Sequence, residues 1–424
     1  MSELSPMTDT AAATRRADDA PVRFGVIGAG FIARWFAEAV SHEPAAQLVS
    51  VTSAHRERAV AFASEHGIPY AHASLEEMLD AHGPGSTAPI DVIHVGSPNS
   101  LHAQHAIAAL KAGFHVLVEK PFALTRSQAE EMVEAARTAD RFLMEAWLSA
   151  FEPGVARLRE QLPRLGRLHR VVLSKEQFSS RMEAYRAGGL PPAFDPALGG
   201  GSLMDLGVYP VSMAVHLFGE PARVRAAGRL LASGADSHGV VVLDYETLPD
   251  GRATDLEVVC LHSKTSRGAA PSSIASDNLA LSMDDVQWPR RIALTGPQGE
   301  QDLSAFGHQD VVGTARGHRV HGFQTDAGLQ QWTRERGRRK LQACTGAQQD
   351  DLRARLGQRQ QHVGRERCQT VDGPGLHRPL RVQQQRPLVP CPVDFHPAGT
   401  VGGDGVEIVV VVGVQFHGWG RRAG

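Results

Sequence analysis

Cysteine is scarce in this chain. Only Cys260, Cys344, Cys368 and Cys391 occur in 424 residues, far apart and with no Cys-x-x-Cys pair. That spacing argues against a disulfide framework or a zinc site, so no metal is expected, and it suits a reducing cytoplasm. Long apolar runs are missing too. Nothing approaches the ~20 residues that cross a bilayer, so no membrane partner is expected. Residues 1–20 are rich in Ser, Thr, Ala, Asp and Arg and hold no apolar segment that would make a signal peptide. They read as a disordered leader. Hydrophobic residues form 42% of the chain, enough for the cores of two or three domains.

An apolar run at residues 22–27 leads at once into Gly28-Ala-Gly30-Phe31-Ile32-Ala33 and a helical stretch to about Ser41. This is the G-x-G-x-x-A dinucleotide fingerprint in its required setting of strand, tight turn and helix. Gly28 permits the turn, Gly30 lets the backbone approach a pyrophosphate, and Ala33 keeps helix and strand close. Phe31 and Ile32 stand in the first helical turn, where free N–H groups and the positive dipole end meet phosphate. The next strand, residues 47–51, is followed by Thr52-Ser53-Ala54-His55-Arg56. No acidic side chain precedes Glu57 to take a ribose 2′-hydroxyl. Ser53, His55 and Arg56 would suit a 2′-phosphate, which favours NADP over NAD, although they also serve as ordinary caps of the helix at 57–66.

Strand and helix go on alternating. A buried strand at 90–95 ends in Gly96-Ser97-Pro98-Asn99-Ser100-Leu101-His102 and a helix to about Ala112. Small and polar residues there could border the ribose and nicotinamide, while Asn99 or Ser100 would equally make an N-cap. Next comes Gly113-Phe-His-Val-Leu-Val-Glu119-Lys120-Pro121, a short apolar strand ending in a charged pair. Ligands of open α/β sheets bind beyond the carboxyl ends of the strands, where Glu119 and Lys120 fall. A partly desolvated lysine there could hydrogen-bond a substrate oxygen, and an X-Pro bond can be cis at modest cost. A helix at 127–139 and a strand at 142–145 complete a doubly wound, parallel domain spanning residues 21–146.

Residues 147–304 have a different texture. A helix at 153–162 and a strand-like run at 168–178 precede a Gly- and Pro-rich loop at 187–201, with Phe178, Tyr185 and Phe194 available to line a substrate pocket. Ser202 opens a helix to about Leu217 in which Asp205 and Tyr209 stand at i and i+4, on one face. Gly207 inside it costs about 1 kcal/mol relative to Ala and suggests a close approach by another group. Later apolar runs read as strands of a largely antiparallel sheet.

Four elements, the fingerprint at Gly28, the turn at 96–102, Glu119-Lys120-Pro121 and Gly199-Gly-Gly-Ser-Leu-Met-Asp205-Leu-Gly-Val-Tyr209, occur in that order and spacing. Together they resemble the Gfo/Idh/MocA oxidoreductases, in the branch of dimeric dihydrodiol dehydrogenase, NADP-linked xylose dehydrogenase and glucose–fructose oxidoreductase. The resemblance covers about residues 22–304. It implies a Rossmann domain joined to an α/β domain with an open, mostly antiparallel sheet that often forms a homodimer interface. It also implies a cis Lys120–Pro121 peptide and a catalytic group of Lys120, Asp205 and Tyr209. The expected activity is hydride transfer between NADP or NAD and a secondary alcohol or carbonyl of a sugar, polyol or vicinal diol. Lys120 would bind the reacting oxygen, Asp205 would orient the pair, and Tyr209 would pass the proton with its pKa lowered by the ammonium. Two departures stand out: Ala150-Phe151 where relatives commonly have Arg-Phe, and Ser53-Ala54 where NADP-using relatives often have Ser-Arg. The competing expectation is a non-catalytic dinucleotide sensor, or a product inactivated by its C-terminus.

That C-terminus, residues 305–424, carries 17 Lys and Arg against 10 Asp and Glu, and 16 of the 17 are Arg. No helical or strand period persists apart from an apolar run at 406–414. With scattered basic residues and no recognisable module, no nucleic-acid partner is expected. The segment reads as a disordered tail, not a selected domain, consistent with a shifted reading frame.

Overall fold

The computed structural model of the chain describes residues 20–304, 393–394 and 415–416. The leader and nearly all of the Arg-rich segment lie outside these residues, so the expectations for them do too. Within 305–424 the described pieces are two dipeptides, Val393–Asp394 and Gln415–Phe416, which pair antiparallel.

The fingerprint strand occupies the middle of the first sheet. Its strands are β1 (Val22–Ile27), β2 (Ala46–Thr52), β3 (Tyr70–His72), β4 (Val92–Val95), β5 (His115–Glu119) and β6 (Leu143–Ala146). All run parallel, in the order β3-β2-β1-β4-β5-β6. Parallel neighbours need crossovers, which are supplied by α1 (Phe31–Ser41), α2 (Arg56–His66), α3 (Leu75–His82), α4 (His102–Lys111) and α5 (Arg126–Ala139). β3 is three residues, Tyr-Ala-His, with no apolar run to announce it. Two apolar clusters clothe the sheet. Val26 and Val51 pack with Ala33, Ala59 and Phe62, while Ile93, Val95, Val116 and Val118 pack with Ala106, Leu110 and Met132. Strand order reverses between β1 and β4, and a doubly wound sheet opens its binding crevice at that switch point.

The second sheet has eight strands: β7 (Leu168–Glu176), β8 (Arg223–Leu230), β9 (Asp236–Thr247), β10 (Ala253–Ser263), β11 (Ser272–Ser276), β12 (Ala280–Met283), β13 (Ile292–Gly296) and β14 (Gly299–Asp302). Their order is β14-β13-β12-β11-β7-β10-β9-β8. Neighbours are antiparallel except β7 and β10, which pair in parallel, so the sheet is mixed although mostly antiparallel. Alternate residues face a core shared with α6 (Pro153–Gln161) and α8 (Val208–Phe218). Val171, Leu173, Val241, Leu243, Val258 and Cys260 meet Met213, Leu217 and Phe218 there. Each such large side chain contributes about 1.5–3 kcal/mol by leaving water. The opposite face of this sheet carries half-exposed Val172, Val240, Val242, Val259 and Leu261. Between β7 and α8 lie the short helix α7 (Met182–Arg186) and the glycine-rich loop.

One element departs from expectation. Leu203–Gly207 is a π-helical turn leading into α8, not the start of a regular α-helix. The widening falls just before Pro210, whose ring would press on the Leu206 carbonyl in an α-helix.

Candidate active site

The loops after β1 and β4 meet backbone to backbone at the crevice. Gly28 has φ +103°, and a Cβ there would lie 2.6 Å from the Gly96 carbonyl oxygen, so only glycine fits. Its N–H donates to the Thr52 carbonyl at 2.8 Å, closing the turn. Gly30 caps α1 with no side-chain hydrogen bond, and no acidic residue stands in the first turn. A Cβ on Gly30 would meet nothing within 4 Å. The helix end therefore offers unblocked N–H groups and open space, which fits the pyrophosphate of a dinucleotide. Phe31 is exposed beside this end, and Ile32 packs against Gly96. After β2, Ser53 Oγ accepts from the His55 N–H at 3.4 Å, and exposed Arg56 lies 3.8 Å from Glu77.

The remaining cofactor-side residues brace one another. Both ring nitrogens of buried His102 face carbonyl oxygens, Nδ1 that of Pro121 at 2.8 Å and Nε2 that of Ser97 at 3.0 Å. This joins the segment around Ser97 and Pro98 to the segment after β5. Asn99 Nδ2 donates to the Gly199 carbonyl at 3.1 Å, tying the same loop to the second domain's glycine-rich segment. Glu119 Oε1 lies 3.2 Å from Nε2 of His94, a buried ring stacked on Phe36 with centroids 4.1 Å apart. The Lys120–Pro121 peptide is cis.

Lys120, Asp205 and Tyr209 come together although 85 residues separate the first two. Lys120 Nζ donates to Asp205 Oδ1 and to the Asp205 carbonyl, both at 3.2 Å, and lies 5.1 Å from the centre of the Tyr209 ring. Gly207 allows this geometry: a Cβ there would lie 2.8 Å from Leu203 Cδ1 and 3.1 Å from the His262 ring, the close approach its presence suggested. Burial opposes the charge on Lys120, but Tyr209, Asp205 and Glu119 outweigh it and raise the ammonium pKa. Burial likewise works against the Asp205 carboxylate, yet Lys120 and Lys264 bring its pKa down to about 2. Tyr209 moves opposite to expectation. It is 8% exposed, and burial raises the phenol pKa despite the opposing pull of Lys120, so the hydroxyl keeps its proton at neutral pH.

The three aromatic candidates divide. Phe194 is fully buried, with its ring 5.5 Å from Lys264 Nζ and 5.0 Å from the Tyr185 ring. The Tyr185 hydroxyl accepts from the Ser233 N–H at 3.1 Å. Phe178 is 38% exposed, with the Arg186 guanidinium carbon 5.5 Å from its ring centre. Three charged groups unmarked by the sequence reading also converge here. Lys264 Nζ donates to Asp205 Oδ2 at 2.5 Å. Lys175 lies 5.7 Å from the Tyr209 ring centre and pairs with Asp285 at 2.7 Å. Glu145, 3% exposed, accepts from the Phe122 N–H at 2.9 Å, just past Lys120. Strand parity was the available signal. Lys175 follows Val171 and Leu173 on the inward side of β7, and Lys264 follows Val258, Cys260 and His262 at the end of β10.

The chain matches two family models, "Oxidoreductase family, NAD-binding Rossmann fold" over residues 22–146 and "GFO/IDH/MocA C-terminal domain" over residues 163–264. It is 38% identical over 285 residues to scyllo-inositol 2-dehydrogenase (NADP(+)) IolU of Bacillus subtilis (strain 168), spanning 67% of this chain and 83% of that protein. It is 35% identical over 227 residues to trans-1,2-dihydrobenzene-1,2-diol dehydrogenase of Xenopus tropicalis, covering 53% of this chain and 65% of that one. Among solved structures, aldose-aldose oxidoreductase from Caulobacter crescentus complexed with glycerol shares the fold, with a TM-score of 0.56 at 22% identity over 66% of this chain and 83% of that chain. With both domains matched by the family's models and a relative of 38% identity covered over 83% of its length, the chain belongs to the Gfo/Idh/MocA family of NAD(P)-dependent oxidoreductases.

Proposed function

We propose that the protein interconverts a secondary hydroxyl and its ketone on a sugar, cyclic polyol or vicinal diol, with NADP(H) as the preferred cofactor. The observation that carries this reading is the convergence of Lys120, Asp205 and Tyr209 at the carboxyl edge of β5, beside the Gly28–Gly96 crevice. Residues 21–146 serve as the cofactor domain and 147–304 as the substrate domain. Gly28, Gly30, Phe31 and Ile32 hold the pyrophosphate side, and Ser97, Pro98, Asn99, His102 and Glu119 border the ribose and nicotinamide. Phe178 and Tyr185 remain available to the substrate side, while fully buried Phe194 packs against Tyr185. The relatives named for scyllo-inositol and for a dihydrobenzene diol support a vicinal, ring-borne hydroxyl.

When bound, the nicotinamide supplies or accepts the hydride. The residues do the rest. In the reducing direction Lys120 donates a hydrogen bond to the carbonyl oxygen and stabilises the charge that grows there. Tyr209, held neutral by burial, gives its hydroxyl proton to that oxygen. The resulting phenolate sits beside the Lys120 ammonium until solvent returns the proton. Asp205 remains ionised and offsets the lysine charges. Lys120→Met keeps the aliphatic stem and removes the ammonium. Turnover of scyllo-inositol and related polyols with NADP+ should fall on the order of a hundredfold or more, while NADPH affinity changes little. Near-normal turnover would remove Lys120 from the chemistry.

Cofactor choice follows from the β2 end. Ser53, His55 and Arg56 are available there, no acid precedes Glu57, and Arg56 is held by one contact of 3.8 Å. NADPH should bind about tenfold to a hundredfold more tightly than NADH, the worth of a charge-assisted phosphate contact at roughly 1.5–3 kcal/mol. Fluorescence titration with both cofactors measures it, and equal affinities would mean these side chains point elsewhere. A homodimer through the open face of the second sheet and a cytoplasmic location belong to the same reading. The face supports the first with a row, Arg225, Val242, Val259 and Val172, aligned across four strands. The second is suggested by dependence on a soluble nicotinamide pool.

A further inference from the structure

Lys264 is the least exposed of the charged groups around Asp205, at 2%. Its backbone is fixed from both sides. The N–H donates to the Ser237 carbonyl, and its carbonyl accepts from the Ser179 N–H, each at 2.9 Å. The side chain passes under the fully buried Phe194 ring and ends on Asp205 Oδ2 at 2.5 Å. Asp205 thus divides its carboxylate between two ammoniums, Oδ2 to Lys264 and Oδ1 to Lys120 at 3.2 Å. The shorter contact goes to the lysine that is shut off from the cleft. Lys120 keeps the longer one and is 19% exposed at its side chain.

We infer that Lys264 is a positioning residue of the reaction: by holding Asp205 Oδ2 it stops the carboxylate from closing on Lys120, and so leaves a Lys120 N–H free to reach the substrate oxygen. The inference rests on the catalytic reading of Lys120 and Asp205. The physical reason is competition for one anion. The Asp205 side chain is 42% exposed, and without Lys264 it would have a single cation beside it. It would turn both oxygens toward Lys120, strengthening that pair and drawing the ammonium off its aim. Lys264 itself has no route to substrate, because Phe194 and Asp205 cover it. Asp236, which feels the Lys264 charge, accepts from the Leu203 N–H at 2.8 Å.

The test is a double-mutant cycle on the full chain with NADPH affinity followed in parallel. Lys264→Met should lower kcat on the order of tenfold to a hundredfold, the usual effect of misplacing a reacting group by about 1 Å. NADPH affinity should stay within about twofold. Lys264→Arg, which can still hold Oδ2, should recover most of the loss. In an Asp205→Asn background, Lys264→Met should add less than about twofold, since its effect runs through the carboxylate. Wild-type kcat in Lys264→Met would overturn the inference. So would a full additional loss in the Asp205→Asn background, or a loss of NADPH affinity and melting temperature that accounts for the fall in kcat. Retained turnover in Lys120→Met overturns the catalytic reading itself, whereas an inactive Lys120→Met beside a fully active Lys264→Met sinks only the role given to Lys264.

Discussion

Glu145 shows how far a single side chain can depart from its solution behaviour. Burial pushes its carboxyl up to about 8, and the nearby Glu119 charge adds to this against the hydrogen bond from Phe122. Oε2 has no hydrogen-bond partner among the described residues, as expected of an acid kept protonated by its surroundings. The folded state therefore holds a proton that the unfolded chain releases near the ordinary carboxylate range. The associated stability is fully present below that range and is lost as pH rises through about 8. Urea denaturation at pH 5, 7 and 9 should show a decline of a few kcal/mol, roughly, that is absent in Glu145→Gln. Equal pH slopes for the two proteins would mean that Glu145 is ionised in the fold. Asp205 works in the other sense. Its depressed pKa gives stability above the ordinary carboxylate range that is lost as pH falls toward about 2.

Two short elements carry the site, and each depends on a glycine for a different reason. The turn between β1 and α1 needs Gly28 because its backbone is left-handed and the Gly96 carbonyl occupies the place of a Cβ. Gly28→Ala should cost about 2–4 kcal/mol, combining backbone strain with a displaced neighbouring loop. NADPH affinity should fall at least tenfold, because the shift occurs at the turn proposed to hold the pyrophosphate. Unaltered titration and denaturation curves would show that the β1 and β4 loops do not pack as described. The π-helical turn at Leu203–Gly207 is not left-handed at Gly207. There glycine is needed for room, since Leu203 and His262 fill the side-chain space. His262, in turn, lies 3.0 Å from Ser202 Oγ at the head of the turn. Sequence spacing put Asp205 and Tyr209 on one helix face; the widened turn and its packing aim them toward Lys120.

Among the described residues, the two sheets differ in what covers their faces. The parallel sheet has an apolar cluster on each face, whereas the mixed sheet has its helices on one. Its other face presents Val172, Val240, Val242, Val259 and Leu261, rimmed by charged residues including the Arg225–Asp244 and Arg225–Glu257 pairs at 2.9 Å. An apolar centre inside a charged rim suits a self-complementary contact. Sedimentation velocity at micromolar concentration should give a dimer, and Val242→Lys should shift it to monomer with little change in the NADPH affinity of each chain. A monomeric wild-type protein would end the proposal for this face. No helix among the described residues is long and apolar enough to cross a membrane, and no group of three or more His, Cys, Asp or Glu among them is placed to hold a metal ion.

The sequence by itself determined the strand–turn–helix at Gly28, the parallel alternation that follows and the lysine at the end of β5. Those features are written in local periods and in glycines whose backbone requirements do not wait on distant partners. β3 escaped because three residues carry no period, and the parallel β7–β10 pair escaped because pairing direction depends on strands more than 80 positions apart in sequence. The electrostatics were the least legible. Whether Tyr209 gains or loses acidity depends on the balance of burial against a lysine 89 positions earlier, and the structure resolves that balance in favour of burial. Lys264 and Glu145 look in the sequence like ordinary charged residues near strand ends. Only the tertiary structure shuts them away from water, and it gives one a carboxylate to hold and the other a proton to keep.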